Sequence, residues 1–310
     1  MSGIEIFGIV LGAIAFLIGL WFLFGFVVFK LTLVRNSFTS KIISSVMNRN
    51  YKKYKIEPTW WNKQKTEEII INNSGLNLAG LLIRKENSNK VAICVHGLFG
   101  TYKDVMPQAN LFLENGFSVI APSHRAHGKS QGKYITMGHY EKDDIVLWIK
   151  KAIEIFGQNC QIVLFGISMG GATVLLSAGE NLPSNVKCVI ADSAYKNGYA
   201  QFAAMVHKVL LPGIVFLPPV NFFFKKISKF NLLNVLPIEA VKKTNLPILF
   251  IHGTRDLFVP NHMSKDMFKV SNKENCKLLL VKGAIHIQSF AKNTVEYKKT
   301  FTNFVEKWVN

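Results

Sequence analysis

Gln161-Ile162-Val163-Leu164-Phe165-Gly166-Ile167-Ser168-Met169-Gly170-Gly171 is the stretch that decides the fold. Gln161–Phe165 is an apolar run of strand length, and Ser168–Ala178 has a helical texture, so the stretch predicts strand, cramped turn and helix in succession. A serine at such a turn is held in an unfavourable backbone conformation that lifts its hydroxyl clear of the sheet edge. Glycines two residues before and after Ser168 leave room for the neighbouring strand and helix. The helix that follows points its N-terminus at the serine, which favours developing negative charge. The G-x-S-x-G spacing alone is a weak signal, because small residues often occupy strand–helix turns.

The rest of the chain repeats the same alternation. Apolar runs recur at Val91–Val95, Ser118–Ala121, Val186–Ala191, Pro247–Ile251 and Lys277–Val281, separated by amphipathic stretches such as His139–Phe156 and closed by a helix over Ser289–Trp308. Ahead of them, Thr66–Asn72 and Leu76–Arg84 read as a hairpin around Asn72-Asn73-Ser74-Gly75. An antiparallel pair followed by strand–helix units predicts an α/β fold, a mostly parallel, doubly wound sheet covered on both faces.

A serine nucleophile needs a base, and the base needs an orienting acid. Asp256 follows the run Ile248–Ile251 within His252-Gly253-Thr254-Arg255-Asp256, and His286 follows Leu278–Val281 within Lys282-Gly283-Ala284-Ile285-His286. Side chains placed beyond three strands of one parallel sheet converge on its carboxyl edge. Asp192, after Val186–Ala191, competes with Asp256 for the acid position. Upstream, Val91–Val95 ends in His96-Gly97-Leu98-Phe99-Gly100, whose Leu98 N–H is placed to form an oxyanion hole with the Met169 N–H. Phe99 is expected to contact substrate.

These motifs together resemble the α/β-hydrolase superfamily: HGLFG at 96–100, GFSVIAPSHRAHGKS at 116–130, GISMGG at 166–171, HGTRDLFVP at 252–260 and GAIH at 283–286. The match runs from Trp60 to the C-terminus and looks most like bacterial membrane-anchored members with a short helical lid after the sixth strand. The resemblance implies catalytic residues Ser168, Asp256 and His286, an ester, thioester or amide substrate, no metal and no organic cofactor. One departure is Ser123-His124-Arg125-Ala126-His127-Gly128-Lys129-Ser130, where the family often reads D-x-R-G-H-G-x-S. That region shapes the fold, so the departure leaves the candidate triad untouched. A carboxylesterase or lipase-like activity on a small acyl ester or lipid is the expectation. A peptidase or thioesterase of the same fold, a silent membrane-anchored scaffold, and a cationic lipid-binding module stand as alternatives.

The amino-terminal segment belongs to a different solvent. Ile6–Phe29 comprises 24 residues without a charge, about 36 Å as a helix, enough to cross a hydrocarbon core of about 30 Å. A cleaved signal peptide is the rival, but no Lys or Arg precedes the run and no small-x-small site follows. Lys30, Arg35, Lys41, Arg49, Lys52, Lys53 and Lys55 follow the span against Glu5 before it, which puts the catalytic domain on the cytoplasmic side of a single-pass protein. Residues 1–35 are thus expected to form the anchor, 36–59 a basic linker or interfacial helix, and 60–310 the hydrolase domain. Gly8 and Gly12 form a G-x-x-x-G pair, common in membrane helices with or without a partner.

The net charge of +18 suggests a polyanion partner or a plain Lys-rich bias. No Cys/His finger or aromatic RNP-type strand accompanies it, so lipid is favoured and nucleic acid is not expected. The four cysteines show no paired spacing, and no histidine has metal-ligand spacing. His96, His252, His124 and His127 read as structural turn residues, His262 as a helix start, and Asp143 and Asp144 as solvated or a structural pair. Gly128-Lys129-Ser130 lacks the glycine that a P-loop needs at 123. One segment, 197–241, breaks the alternation with Val209-Leu210-Leu211-Pro212 and Phe222-Phe223-Phe224. Pro212, Pro218, Pro219 and Asn221 argue against a second span. As an insertion capping the sheet's carboxyl edge it has three roles open to it: shaping an apolar pocket, dipping into the bilayer, or packing on the domain.

Overall fold

A two-residue turn at Ser74-Gly75, with φ of 52° and 85°, folds β1 (Thr66–Asn73) back onto β2 (Leu76–Ile83). Positive φ at both central residues matches the right-handed twist of the two strands. The computed structural model describes residues 1–37, 60–207 and 213–309. All but the first two residues of the expected linker, and Val209-Leu210-Leu211-Pro212, lie outside the described residues.

The hairpin edges an eight-stranded sheet of order β1-β2-β4-β3-β5-β6-β7-β8. The remaining strands are β3 (Lys90–Val95), β4 (Ser118–Pro122), β5 (Gln161–Ile167), β6 (Val186–Asp192), β7 (Ile248–Gly253) and β8 (Lys277–Val281). β2 pairs antiparallel with β1 and β4, and every other pairing is parallel. This is the mostly parallel α/β sheet that the alternating runs predict, and the α/β-hydrolase fold that the motif resemblance implies.

Both faces are covered, so successive strand residues alternate between two cores. On one face Ala92, Val163, Phe165 and Ile190 meet α2 (Met106–Glu114) and the C-terminal helix. On the other, Val91, Ile93, Leu164 and Phe250 meet α3 (Glu141–Phe156) and α4 (Met169–Ala178) through Trp148, Ile149 and Val174. Each fully buried Val, Leu, Ile or Phe side chain contributes about 1.5–3 kcal/mol. Cys94 and Cys188 are buried in the strands as free thiols, and burial pushes both well above the ordinary thiol range.

The segment 197–241 forms α5 (Gly198–His207), α6 (Gly213–Phe223) and short turns, then α7 (Pro237–Lys243) packs on α4. After β7 comes α8 (His262–Val270), where His262 opens the helix as read. The single closing helix expected over Ser289–Trp308 is two: α9 (Ser289–Lys292) and α10 (Thr294–Trp308). Asn293 breaks it, leaving the helical region at φ −144° while its side chain caps the Glu296 N–H.

The amino-terminal α1 (Gly3–Thr32) begins with a Ser2/Glu5 capping box. Its first half stands clear of the protein, and its second half joins it. Val34 bridges Tyr134, Arg35 donates to the Ser130 and Gly128 carbonyls, and Phe29 and Leu33 are buried.

Between Asp143 and Asp144, the structure separates two roles. Asp143 is exposed, whereas Asp144 is buried and receives Arg125 through Nε at 2.8 Å and Nη2 at 2.6 Å, with Asn73 Nδ2 at 2.7 Å. Arg125 lies over the Tyr140 ring. The pair ties the loop after β4 to α3. Arg125→Ala, which leaves a buried carboxylate without its counter-ion, is expected to cost about 3–5 kcal/mol. Denaturant unfolding of the detergent-solubilised protein measures this, and a loss below 1 kcal/mol would mean that Asp144 finds water or another partner.

Candidate active site

Ser168 sits between β5 and α4 at φ 52°, ψ −117°. A non-glycine residue rarely occupies this conformation, and the packing around it holds it there. A Cβ on Gly166 would lie 2.3 Å from the Gly170 carbonyl oxygen, and one on Gly170 would lie 2.3 Å from the Val95 carbonyl oxygen. The two glycines thus let helix, elbow and β3 close on one another.

Asp256 and His286 arrive from the loops after β7 and β8. His286 Nδ1 lies 2.7 Å from Asp256 Oδ2, and Nε2 lies 2.9 Å from Ser168 Oγ. A carboxylate only accepts, so Nδ1 carries the proton and Nε2 is left to accept from the serine hydroxyl. The structure brings the three side chains into one hydrogen-bonded chain.

Asp256 Oδ1 also accepts from the Phe258 and Val259 N–H groups, each at 2.9 Å. His252 Nε2 stands 3.2 Å from Oδ2. Burial pushes the Asp256 carboxyl up, but hydrogen bonds from His252 and His286 outweigh it and hold the group well below the usual carboxylate range. His252 was legible as structural; its contact with the acid was not, because a turn motif does not reveal where a ring points. Its Nδ1 faces the Ser264 hydroxyl at 2.7 Å and Nε2 the Val259 carbonyl at 2.9 Å, so it is fully partnered.

Asp192 takes no part in that chain. Its carboxylate accepts from the Ser193 hydroxyl at 2.9 Å and the Tyr297 hydroxyl at 3.1 Å. Burial pushes its pKa up to about 6. Ser193 Oγ in turn accepts from the Ile287 N–H at 3.3 Å, so this cluster backs the loop that carries His286.

Leu98 and Met169 flank Ser168. A Cβ on Gly97 would lie 3.3 Å from the Ser168 Cβ, so the loop tip abuts the serine. Among the described residues, the Leu98 and Met169 N–H groups carry no internal hydrogen bond. The adjacent Phe99 N–H donates to His127 Nε2 at 3.0 Å. His127 holds its own Nδ1 against the Arg125 carbonyl at 2.9 Å, and burial lowers its pKa, which keeps Nε2 an acceptor. His96 accepts from the His124 N–H at 3.1 Å, and burial drops His124 to about 3. These three rings brace the loop as neutral imidazoles. No group of His, Cys, Asp or Glu among the described residues is arranged to hold a metal ion.

A cleft of about 250 Å³ opens at Ser168 and His286, walled by Leu98, Phe99, Phe258, Ile285 and Ile287. Phe99, the expected substrate contact, is among the lining residues. Phe258, Ile285 and Ile287 escaped the sequence reading, although their signal was available: each lies within two residues of Asp256 or His286. Among the described residues of the insertion 197–241, none lines this cleft. The insertion acts from behind, through Gln201 Nε2 donating to the Phe258 carbonyl at 2.9 Å.

The sequence model of a family described as alpha/beta hydrolase fold matches residues 91–215. The chain is 28% identical to the Bacillus subtilis protein YqkD over 78% of its own length and 80% of that protein. It is 24% identical to YfhR of Escherichia coli over 82% and 84% of the two chains. Among solved structures it superimposes on the Pyrococcus furiosus esterase Pf2001 with a TM-score of 0.66, at 23% identity, over 83% of this chain and 96% of that one. It also matches the Pyrococcus horikoshii acylaminoacyl peptidase with a TM-score of 0.59, at 18% identity, over 80% of this chain and 43% of that chain.

Proposed function

We propose that this chain is a member of the α/β-hydrolase superfamily and, on that footing, a membrane-anchored serine hydrolase cleaving an acyl ester. The unbroken path from Ser168 Oγ through His286 to Asp256, at 2.9 and 2.7 Å, carries the reading. Ser168 Oγ attacks the acyl carbonyl while its proton passes to His286 Nε2. The carbonyl oxygen becomes an oxyanion between the Leu98 and Met169 N–H groups. Asp256 holds the imidazolium and never takes its proton. Collapse of the tetrahedral intermediate breaks the ester C–O bond, and Nε2 returns the proton to the leaving alcohol. Water then repeats the sequence on the acyl-enzyme, releasing the acid and restoring Ser168.

The apolar cleft wall favours a hydrocarbon acyl group, and its modest volume favours an acyl ester over a folded peptide. Retention of α1 as an anchor, in place of cleavage as a signal, is supported by its packing: removal would uncover Leu217, Val220 and Phe224, which share one apolar cluster with Phe29 and Leu33. The lysines and arginines after the span favour a cytoplasmic domain.

A fluorophosphonate, which phosphonylates an activated serine, is expected to label the intact protein and not Ser168→Ala. Equal labelling of both would remove Ser168 as nucleophile.

A further inference from the structure

α1 and α6 lie side by side and run parallel. Trp21 Nε1 donates to the Val215 carbonyl at 2.7 Å, a Cβ on Gly25 would fall 2.6 Å from Pro219 Cβ, and the Phe26 and Phe223 rings meet at 5.3 Å. The first of these contacts has a chemical cause. Pro219 has no N–H, so the carbonyl four residues before it, that of Val215, loses its helical partner. The Trp21 indole supplies one. In water such a carbonyl would be solvated; in lipid it must be satisfied by a neighbouring helix.

The outward face of this pair is apolar. Val215 and Phe222 of α6 are 48% and 41% exposed, beside Leu23 and Val27 of α1 at 56% and 43%. Residues 213–223 carry no charge. Asn221 is buried, its amide satisfied by Asn231 Oδ1 and the Leu232 N–H. Cations gather where the pair ends: Lys30 on α1, and Lys225 and Lys226 just past α6, all exposed. Parallel packing sets these lysines at a common level, as at a headgroup boundary. The apolar face continues the exposed span of α1 without interruption, so the same bilayer covers both.

We propose that α6 lies in the near leaflet beside the last turns of α1, with Lys30, Lys225 and Lys226 at the headgroups, and that the cleft draws its substrate, a membrane-resident acyl lipid, from that leaflet. The substrate half rests on the serine-hydrolase reading; the embedding does not. One apolar cluster joins the two, running from Phe29 and Leu33 through Leu217 and Phe224 to Phe99 and Met169 at the site.

The test uses the full chain in vesicles of phosphatidylcholine with phosphatidylglycerol. A fluorescent dye is attached at Phe222→Cys, or at Glu306→Cys on the exposed domain surface, each with Cys276→Ser because the other three cysteines are buried. Lipids spin-labelled in the acyl chain are expected to quench the dye at 222 and spare that at 306, and aqueous iodide the reverse. Iodide quenching both alike, or neither quencher reaching 222, would overturn the embedding. For the substrate, Val215→Asp is expected to lower hydrolysis of 1-oleoylglycerol in the bilayer at least about tenfold relative to 4-nitrophenyl butyrate in water. If Val215→Asp disturbs folding, Val215→Ser shifts the same ratio less and in the same direction. An unchanged ratio in the folded variants would overturn the substrate assignment. Absence of both activities and of Ser168 labelling in the unmutated protein would instead sink the hydrolase reading, while quenching still decides the embedding.

Discussion

Turnover of 4-nitrophenyl butyrate is expected to fall about 10⁴- to 10⁶-fold in Ser168→Ala, by a similar factor in His286→Ala, and no further when both are changed. The reason is that the two side chains perform one act. Without the imidazole, the Ser168 hydroxyl keeps its proton and is a poor nucleophile; without the hydroxyl, the imidazole has nothing to activate. The factor corresponds to about 5–8 kcal/mol of transition-state stabilisation. What survives in either variant is the proposed oxyanion site and the apolar cleft, which are expected still to bind and polarise the ester for attack by water. Single-turnover and steady-state rates on the same preparations measure it. A double variant whose loss equals the product of the two single losses would show the residues acting independently, and the hydrogen-bonded arrangement would then be no catalytic unit.

Gly170→Ala is expected to destabilise the fold by upward of about 3 kcal/mol and to abolish ester turnover in whatever still folds. The methyl group would meet the Val95 and His96 carbonyl oxygens at 2.3 and 2.4 Å. Those are backbone atoms of β3 and its exit, so no side-chain rotation relieves the contact. Either α4 or the end of β3 must shift, and the shift moves Ser168 and Met169 relative to the Gly97-Leu98 loop that abuts the serine. Gly19→Ala is the control, because its added methyl meets nothing within 4 Å. Thermal unfolding of the two variants in the same detergent compares them. Equal midpoints would show that β3 and α4 are less tightly coupled than the close approach implies.

Much of the site was legible because its parts are local. Ser168, Asp256 and His286 each follow a strand by a few residues, and a parallel sheet delivers all such positions to one edge. The same locality misled where a longer relation decides. Ser289–Trp308 carries an unbroken helical pattern, yet Asn293 splits it, since a capping side chain competes with one helical turn on nearly equal terms. Segment 197–241 was legible as an insertion with apolar prolines. Its neighbour was not, because the partner that satisfies the Val215 carbonyl is Trp21, 194 residues away in the chain.

The order of amino acids by itself determined the α/β alternation, the hairpin at its edge, the glycine-flanked serine turn and an apolar helix long enough for a bilayer. These follow from periodicity and from residues within a few positions of one another, where backbone sterics leave few choices. Only the tertiary structure decided which loop amide stays open, since His127 claims that of Phe99 and leaves Leu98. It alone turned Asp192 toward Tyr297 and Asp256 toward His286. Asp192 ends β6 and Asp256 follows β7 by three residues, and their difference arises from which distant side chain each buried oxygen meets.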